Sequence, residues 1–187
     1  KKAQKNISNY IYKTPQVDSI SLSKIDQKVS LKLESMQITG SFKLRGAVNK
    51  LLSLNDEQKK RGVIAVSTGN HGKGVAYAAK QLGIKSIIFM SNLVPTYRRK
   101  AIENLGANVK IVGTNSDEAD QYARDYALKN NVELVHPFDD LKIIAGQGTI
   151  GLEILEAMPT VDTVIVPTSG GGLIGGIAIA IKEQKPE

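Results

Sequence analysis

Short β-branched apolar runs alternate along this chain with longer stretches whose apolar residues recur at helical spacing. Val63 to Val66 and Thr163 to Val166 read as buried strands, and Leu44, Ala47, Val48, Leu51 and Leu52 mark one face of a helix over residues 41–54. Continued along the sequence, the pattern predicts strands near 29–33, 63–66, 85–90, 108–112, 132–135 and 163–167. Helices are predicted near 41–54, 71–82, 95–105, 117–130, 141–157 and 172–183. Strands and helices in alternation specify an α/β fold, doubly wound on parallel sheets. There are no internal repeats and no low-complexity linkers.

The pattern places unusual residues at three element boundaries. Lys43 falls in the first turn of the helix over 41–54, where the positive end of the helix dipole and partial desolvation both disfavour an ammonium. A neutral amine there is a nucleophile, able to form a Schiff base with an aldehyde. Taken alone, it is also what any solvated lysine at a helix start looks like. The strand at 63–66 runs into Ser67-Thr68-Gly69-Asn70-His71-Gly72-Lys73-Gly74, and the strand at 163–167 into Ser169-Gly170-Gly171-Gly172-Leu173-Ile174-Gly175-Gly176. Glycines between a strand's carboxyl end and a helix's amino end let backbone N–H groups turn inward around a phosphate. No Walker lysine follows, so a nucleoside triphosphate is not required. Gly146-Gln147-Gly148 lies inside the helix predicted over 141–157, where glycines are costly unless backbone approaches something closely. A cofactor or a domain hinge is the expected neighbour. Asp140 reads as the cap of that helix.

In order along the chain, Ser-Phe-Lys-x-Arg-Gly-Ala (41–47), Ser-x-Gly-Asn-His (67–71) and Gly-Gly-Gly-Leu (170–173) resemble the fold-type-II pyridoxal-phosphate enzymes, within them the serine/threonine dehydratase (threonine ammonia-lyase) and serine racemase branch. Val135-His136-Pro137-Phe138-Asp139 and Ile144 to Thr149 resemble two further segments of that branch. The likeness runs from Tyr10 to Pro186. It implies two doubly wound parallel-sheet domains of the tryptophan-synthase-β-like type, a small one over 62–139 and a large one formed from 1–61 and 140–187, with the cofactor between them. Relatives continue well past the last helix seen here, so the chain reads as truncated at its carboxyl end, with the activity of these 187 residues alone in doubt.

The resemblance also implies roles. Lys43 would hold pyridoxal 5'-phosphate covalently and later remove the α-proton, Phe42 would pack near the ring, and Asn70 would bond the 3'-oxygen. Ser67, Thr68, Gly69, Asn70 and His71 would bind the substrate, and Ser169, Gly170, Gly171, Gly172 and Leu173 the phosphate. Two residues depart from the branch pattern: Ser169 replaces a glycine and Lys73 a glutamine. The expected reaction is dehydration of a 3-hydroxy amino acid such as threonine or serine to a 2-oxo acid and ammonia. Serine racemisation is the alternative, with Thr68 as the catalytic group opposite Lys43.

Composition narrows this further. The chain has no cysteine, which excludes a disulfide framework and thiolate metal sites, and only two histidines, His71 and His136, too far apart for a local ligand pair, so no metal site is expected. The net charge of +7 raises nucleic acid as a partner. Its tight clusters, Lys59-Lys60-Arg61 and Arg98-Arg99-Lys100, lack interleaved aromatics and read as solvated helix faces. No apolar run reaches membrane-spanning length and no signal-peptide core is present, so a cytoplasmic homo-oligomer, dimer or tetramer, acting on a small molecule is expected. Two readings of other classes stand beside this one. Gly170-x-Gly172-x-x-Gly175 also fits a dinucleotide fingerprint of a nicotinamide-dependent oxidoreductase, although that leaves Lys43 and the Asn70 loop unexplained. The other is a non-catalytic fragment with a degenerate site.

Overall fold

The structure is a computed structural model and describes residues 1–186. Its organising element is a four-stranded parallel sheet of β3 (Val63–Val66), β4 (Ser86–Met90), β5 (Asn108–Ile111) and β6 (Glu133–Leu134). These strands alternate with α4 (Asn70–Gln81), α5 (Thr96–Glu103) and α6 (Ser116–Asn130). Spatial order is β5-β4-β3-β6, with Val63 paired to Ser86 on one side and to Glu133 on the other. Order therefore reverses between β3 and β6. The loops that leave the carboxyl ends of these two strands part there, which is where open α/β sheets hold ligands.

The central strands β3 and β4 are buried on both faces, as continuous apolar strands require. Val75, Ala76, Ala78 and Ala79 of α4 share one core with Ala65, Ile88 and Met90, while Ile64 and Phe89 pack with Ala123 of α6 on the other face. Phe89 meets Tyr122 and Tyr126 of α6 in tilted ring pairs with centroids 5.5 and 5.3 Å apart. The helices α6 and α7 (Leu141–Ala157) begin on asparagine and aspartate caps, as the chemistry of orphaned N–H groups favours. Asn115 accepts from Asp117 and Glu118 N–H at the start of α6, and Asp140 from Lys142 and Ile143 N–H at the start of α7.

Against this layer pack α2 (Lys43–Leu52), α7 and α8 (Gly172–Lys182). The glycines inside α7 answer to these neighbours, not to a hinge or directly to a cofactor as the sequence suggested. A Cβ on Gly146 would lie 2.5 Å from the Arg45 carbonyl and 2.6 Å from Gly46 Cα of α2, and one on Gly148 would lie 2.6 Å from the Gly176 carbonyl of α8. Both crossings are backbone on backbone. Each interior glycine costs about 1 kcal/mol of helix stability, offset here by close packing.

The amino-terminal segment holds α1 (Lys2–Ile7), a short antiparallel pair of β1 (Gln16–Asp18) and β2 (Ser30–Lys32), and, after α2, the helix α3 (Asp56–Arg61). The helix expected over 41–54 therefore ends at Leu52, and α3 starts on its own cap. The strand expected over 163–167 is not formed: the segment has no ladder among the described residues. Val164 and Val166 still turn to the cluster of Ile150, Ile154 and Ile177, while Ile165 between them is 92% exposed. The alternation is that of a strand with one face covered, but a strand needs a partner for its backbone groups. No described helix is long and apolar enough to cross a membrane.

Candidate active site

Lys43 is the first residue of α2, after Phe42, and no side chain caps the helix through its acceptor. Ser41 Oγ instead accepts from the Lys43 N–H at 3.3 Å. The side chain runs across to the loop after β6, where Nζ donates to the Pro137 carbonyl at 2.7 Å, and it lies 5.3 Å from the Phe42 ring centroid. Burial pushes the Lys43 ammonium below the usual lysine range. It opens into a cavity of about 350 Å³ whose walls include Phe42, Phe138, Gln147 and the loop from Pro167 to Ile174.

That loop is the glycine-rich segment. Gly171 takes φ +85°, a left-handed conformation that glycine adopts without a Cβ penalty, and α8 begins at the next residue. The N–H groups of Ser169 to Ile174 have no acceptor among the described residues, whereas that of Gly175 bonds the Gly171 carbonyl. A row of free donors at a helix amino end suits an anion. The sequence expectation of Ser169, Gly170, Gly171, Gly172 and Leu173 at one place, with Phe42 and Lys43, thus corresponds to one cavity. A group carrying an aldehyde and a phosphate would find an amine and a row of N–H donors on its walls, so the residues present fit pyridoxal phosphate. Phe138 closes one side: its ring lies where a Cβ on Gly170 would go, and its carbonyl 2.7 Å from where one on Gly172 would go.

Ser67, Thr68, Gly69, Asn70 and His71 lie at the amino end of α4 and do not line this cavity. They sit beside it, because α4 packs closely on the start of α2: a Cβ on Gly74 would be 3.2 Å from both Leu44 N and Lys43 C. Ser67 Oγ accepts from the Gly69 N–H at 3.2 Å, and the Asn70 and Thr68 side chains are exposed without partners among the described residues. His71 is turned inward. Its Nε2 donates to the Val135 carbonyl at 2.8 Å, and burial, aided by the nearby positive charges of Lys43 and His136 against that bond, lowers its pKa to about 4. The imidazole is neutral and faces the core, which leaves its backbone N–H for a ligand.

Two charge networks hold Lys43's helix in place, and neither was anticipated from the sequence. Arg45, with no exposed surface, forks onto Glu34 at 2.8 and 2.9 Å and reaches Glu153 of α7 at 2.6 Å, where Lys32 also bonds. Burial opposes the guanidinium's charge, but the two carboxylates outweigh it and raise its pKa. Lys50 at the other end of α2 pairs with Glu133 of β6 at 2.7 Å and with Asp140 at 2.8 Å. Arg45 and Glu153, 108 positions apart, meet here, as do Gly46 and Gln147, 101 positions apart, where Gln147 Oε1 accepts from the Gly46 N–H.

The sequence pattern of pyridoxal-phosphate dependent enzymes matches residues 7–187. A catabolic L-threonine dehydratase of Staphylococcus aureus strain USA300 is 50% identical over 186 residues, covering 98% of this chain and 54% of its own length. Among solved structures, maize serine racemase superposes with a TM-score of 0.94 at 36% identity, over 99% of this chain and 56% of that one. The processed form of threonine deaminase isoform 2 from Solanum lycopersicum also gives 0.94 at 36% identity, over 96% and 53%. The chain spans about half the length of the relatives it matches.

Proposed function

Because the chain belongs to the pyridoxal-phosphate dependent enzymes, we propose that the protein dehydrates a 3-hydroxy amino acid, threonine or serine, to a 2-oxo acid and ammonia. The observation that carries this is the sharing of one cavity by the Lys43 amine and the free N–H row of the glycine loop. The likeness to a threonine dehydratase over 98% of the chain supports the reaction class.

In this reading the backbone N–H groups of Ser169, Gly170, Gly171, Gly172 and Leu173 bind the phosphate, Phe42 packs near the ring and Asn70 bonds the ring oxygen. Bound there, the cofactor supplies an electron sink for the pair left when the Cα–H bond breaks. Lys43 anchors the cofactor and, once released, takes the α-proton on Nζ, a role favoured by burial that weakens its hold on a proton. Ser67, Thr68, Gly69, Asn70 and His71 hold the substrate carboxylate through hydroxyl and backbone donors. The confinement of the parallel sheet to residues 63–134 supports a small domain over 62–139 set in a larger one of 1–61 and 140–187.

Racemisation is favoured by one observation, the likeness to maize serine racemase. It needs an acid opposite Lys43, and Thr68, exposed and without a partner to lower its pKa, is a poor one. Incubating the complete enzyme with L-serine and L-threonine, with 2-oxo acid, ammonia and D-amino acid measured together, tests this. Elimination should outpace racemisation, and Thr68→Ala should keep most 2-oxo acid formation. D-serine forming faster than pyruvate, and ceasing in Thr68→Ala, would replace dehydratase by racemase.

A further inference from the structure

A second cavity, of about 540 Å³, opens at the opposite edge of the sheet, at the amino ends of its strands, where Val63, Ser86 and Asn108 begin β3, β4 and β5. It is larger than the Lys43 cavity and takes no part in the chemistry described above. Its walls carry two cations, Arg61 and Lys85, and no acidic residue.

The polar groups on these walls are unusually free. Ser86 is 6% exposed, and its hydroxyl, which has no hydrogen-bond partner among the described residues, is open to the cavity. The Lys85 ammonium and the Asn108 amide, both on exposed residues, likewise have no hydrogen bond or ion pair among the described residues. Arg61 uses Nε on the Asn131 carbonyl at 2.6 Å, which orients the guanidinium and leaves its terminal nitrogens unbonded. A hydroxyl, an ammonium and an amide that make no bond within the protein and border one cavity are free to bond a ligand there. Ile87 and the Tyr126 ring add an apolar wall beside these donors.

We propose that this cavity is a second ligand site, separate from the Lys43 cavity, and that it takes a small phosphate monoester with an apolar or aromatic body. Two cations match a phosphate, with its charge of about −1.5 to −2 and three acceptor oxygens, better than a singly charged carboxylate. Lys85 and Arg61 neutralise it, Ser86 and Asn108 donate to it, and the body of the ligand lies against Ile87 and Tyr126.

Phenyl phosphate is the probe, titrated into the complete holoenzyme by calorimetry while cofactor absorbance is followed. The expected result is saturable binding at one site, weakened by salt, with the cofactor spectrum unchanged. Lys85→Gln and Ser86→Ala should each weaken it about tenfold, a loss of the size that follows removal of a charge-assisted bond. Lys60→Gln, on the exposed helix α3, should leave it unchanged. Lys85 is solvent-exposed, so its variant keeps the fold. The proposal is overturned if no saturable binding occurs, if benzoate binds as tightly, if Lys85→Gln binds as the parent does, or if the cofactor spectrum shifts on binding.

Discussion

The imidazole of His71, at the start of α4, donates to the carbonyl of Val135, directly after β6, at 2.8 Å. This bond joins the two loops that part where the strand order reverses, and two residues beyond Val135 the Pro137 carbonyl receives the Lys43 amine. The placement of Lys43 thus depends on a neutral, buried histidine.

Stability should therefore depend on pH through His71. Its pKa falls from 6.5 to about 4 on folding, so between those values the unfolded chain binds a proton that the folded one refuses. Stability should be full above pH 6.5 and fall as pH drops toward 4, by about 3 kcal/mol in all. Urea unfolding of the complete protein across this range measures it, and His71→Asn should flatten the slope over that window.

The glycine crossings predict a contrast between two like substitutions. Gly146→Ala drives a methyl to 2.5 Å from the Arg45 carbonyl and should cost about 1–3 kcal/mol, because backbone must move. Gly175→Ala meets nothing within 4 Å in the interior of α8 and should stabilise by up to about 1 kcal/mol. Denaturation midpoints of the two variants should move in opposite directions.

Glu153→Gln should destabilise by about 3–5 kcal/mol, since it leaves the buried Arg45 and Lys32 sharing too little negative charge. Burial opposes ionisation of Glu153, but Arg45 and Lys32 outweigh it and hold its carboxyl below the ordinary 4.5. Its stabilisation is then complete above that pH and lost as pH falls through the lower folded value. The parent's acid unfolding should accordingly lose part of its steepness in the variant.

Lys43→Ala should abolish covalent attachment of the cofactor and nearly all turnover in the complete enzyme. Mass spectrometry after borohydride reduction reads this directly. A pyridoxyl group on any other lysine would show that the amine of the cavity is not the anchor.

The two central strands were legible because β3 and β4 are short apolar runs buried on both faces: β3 matches its expected 63–66, and β4, with the edge strands β5 and β6, lies within a residue or two of expectation. Apolar repetition reports burial, and β3 and β4 are buried. Thr163 to Pro167 carries the same signature yet forms no ladder, because periodicity says which face is covered and nothing about a partner. The start of α3 was readable from Asn55 and Gln58, a reciprocal capping box, but the run on from α2 hid it. Lys43 and the glycine loop were found as separate motifs, and their meeting in one cavity follows from α7 lying against both α2 and α8. The Arg45 network was beyond reach for a plainer reason. Glu34 and Glu153 stand 119 positions apart, and an isolated carboxylate looks the same whether it is solvated or buried.

The strand order also governs when the site can exist during folding. β4 and β5 add to β3 through successive neighbouring crossovers, but β6 pairs with β3 only after a loop of about seventy residues has closed, the slowest kind of contact to form. The Pro137 carbonyl and the Phe138 wall arrive with it. A nascent chain therefore carries the lysine and its helix long before it carries the surroundings that lower that lysine's affinity for protons. The lowered proton affinity of Lys43 arrives only with the finished sheet.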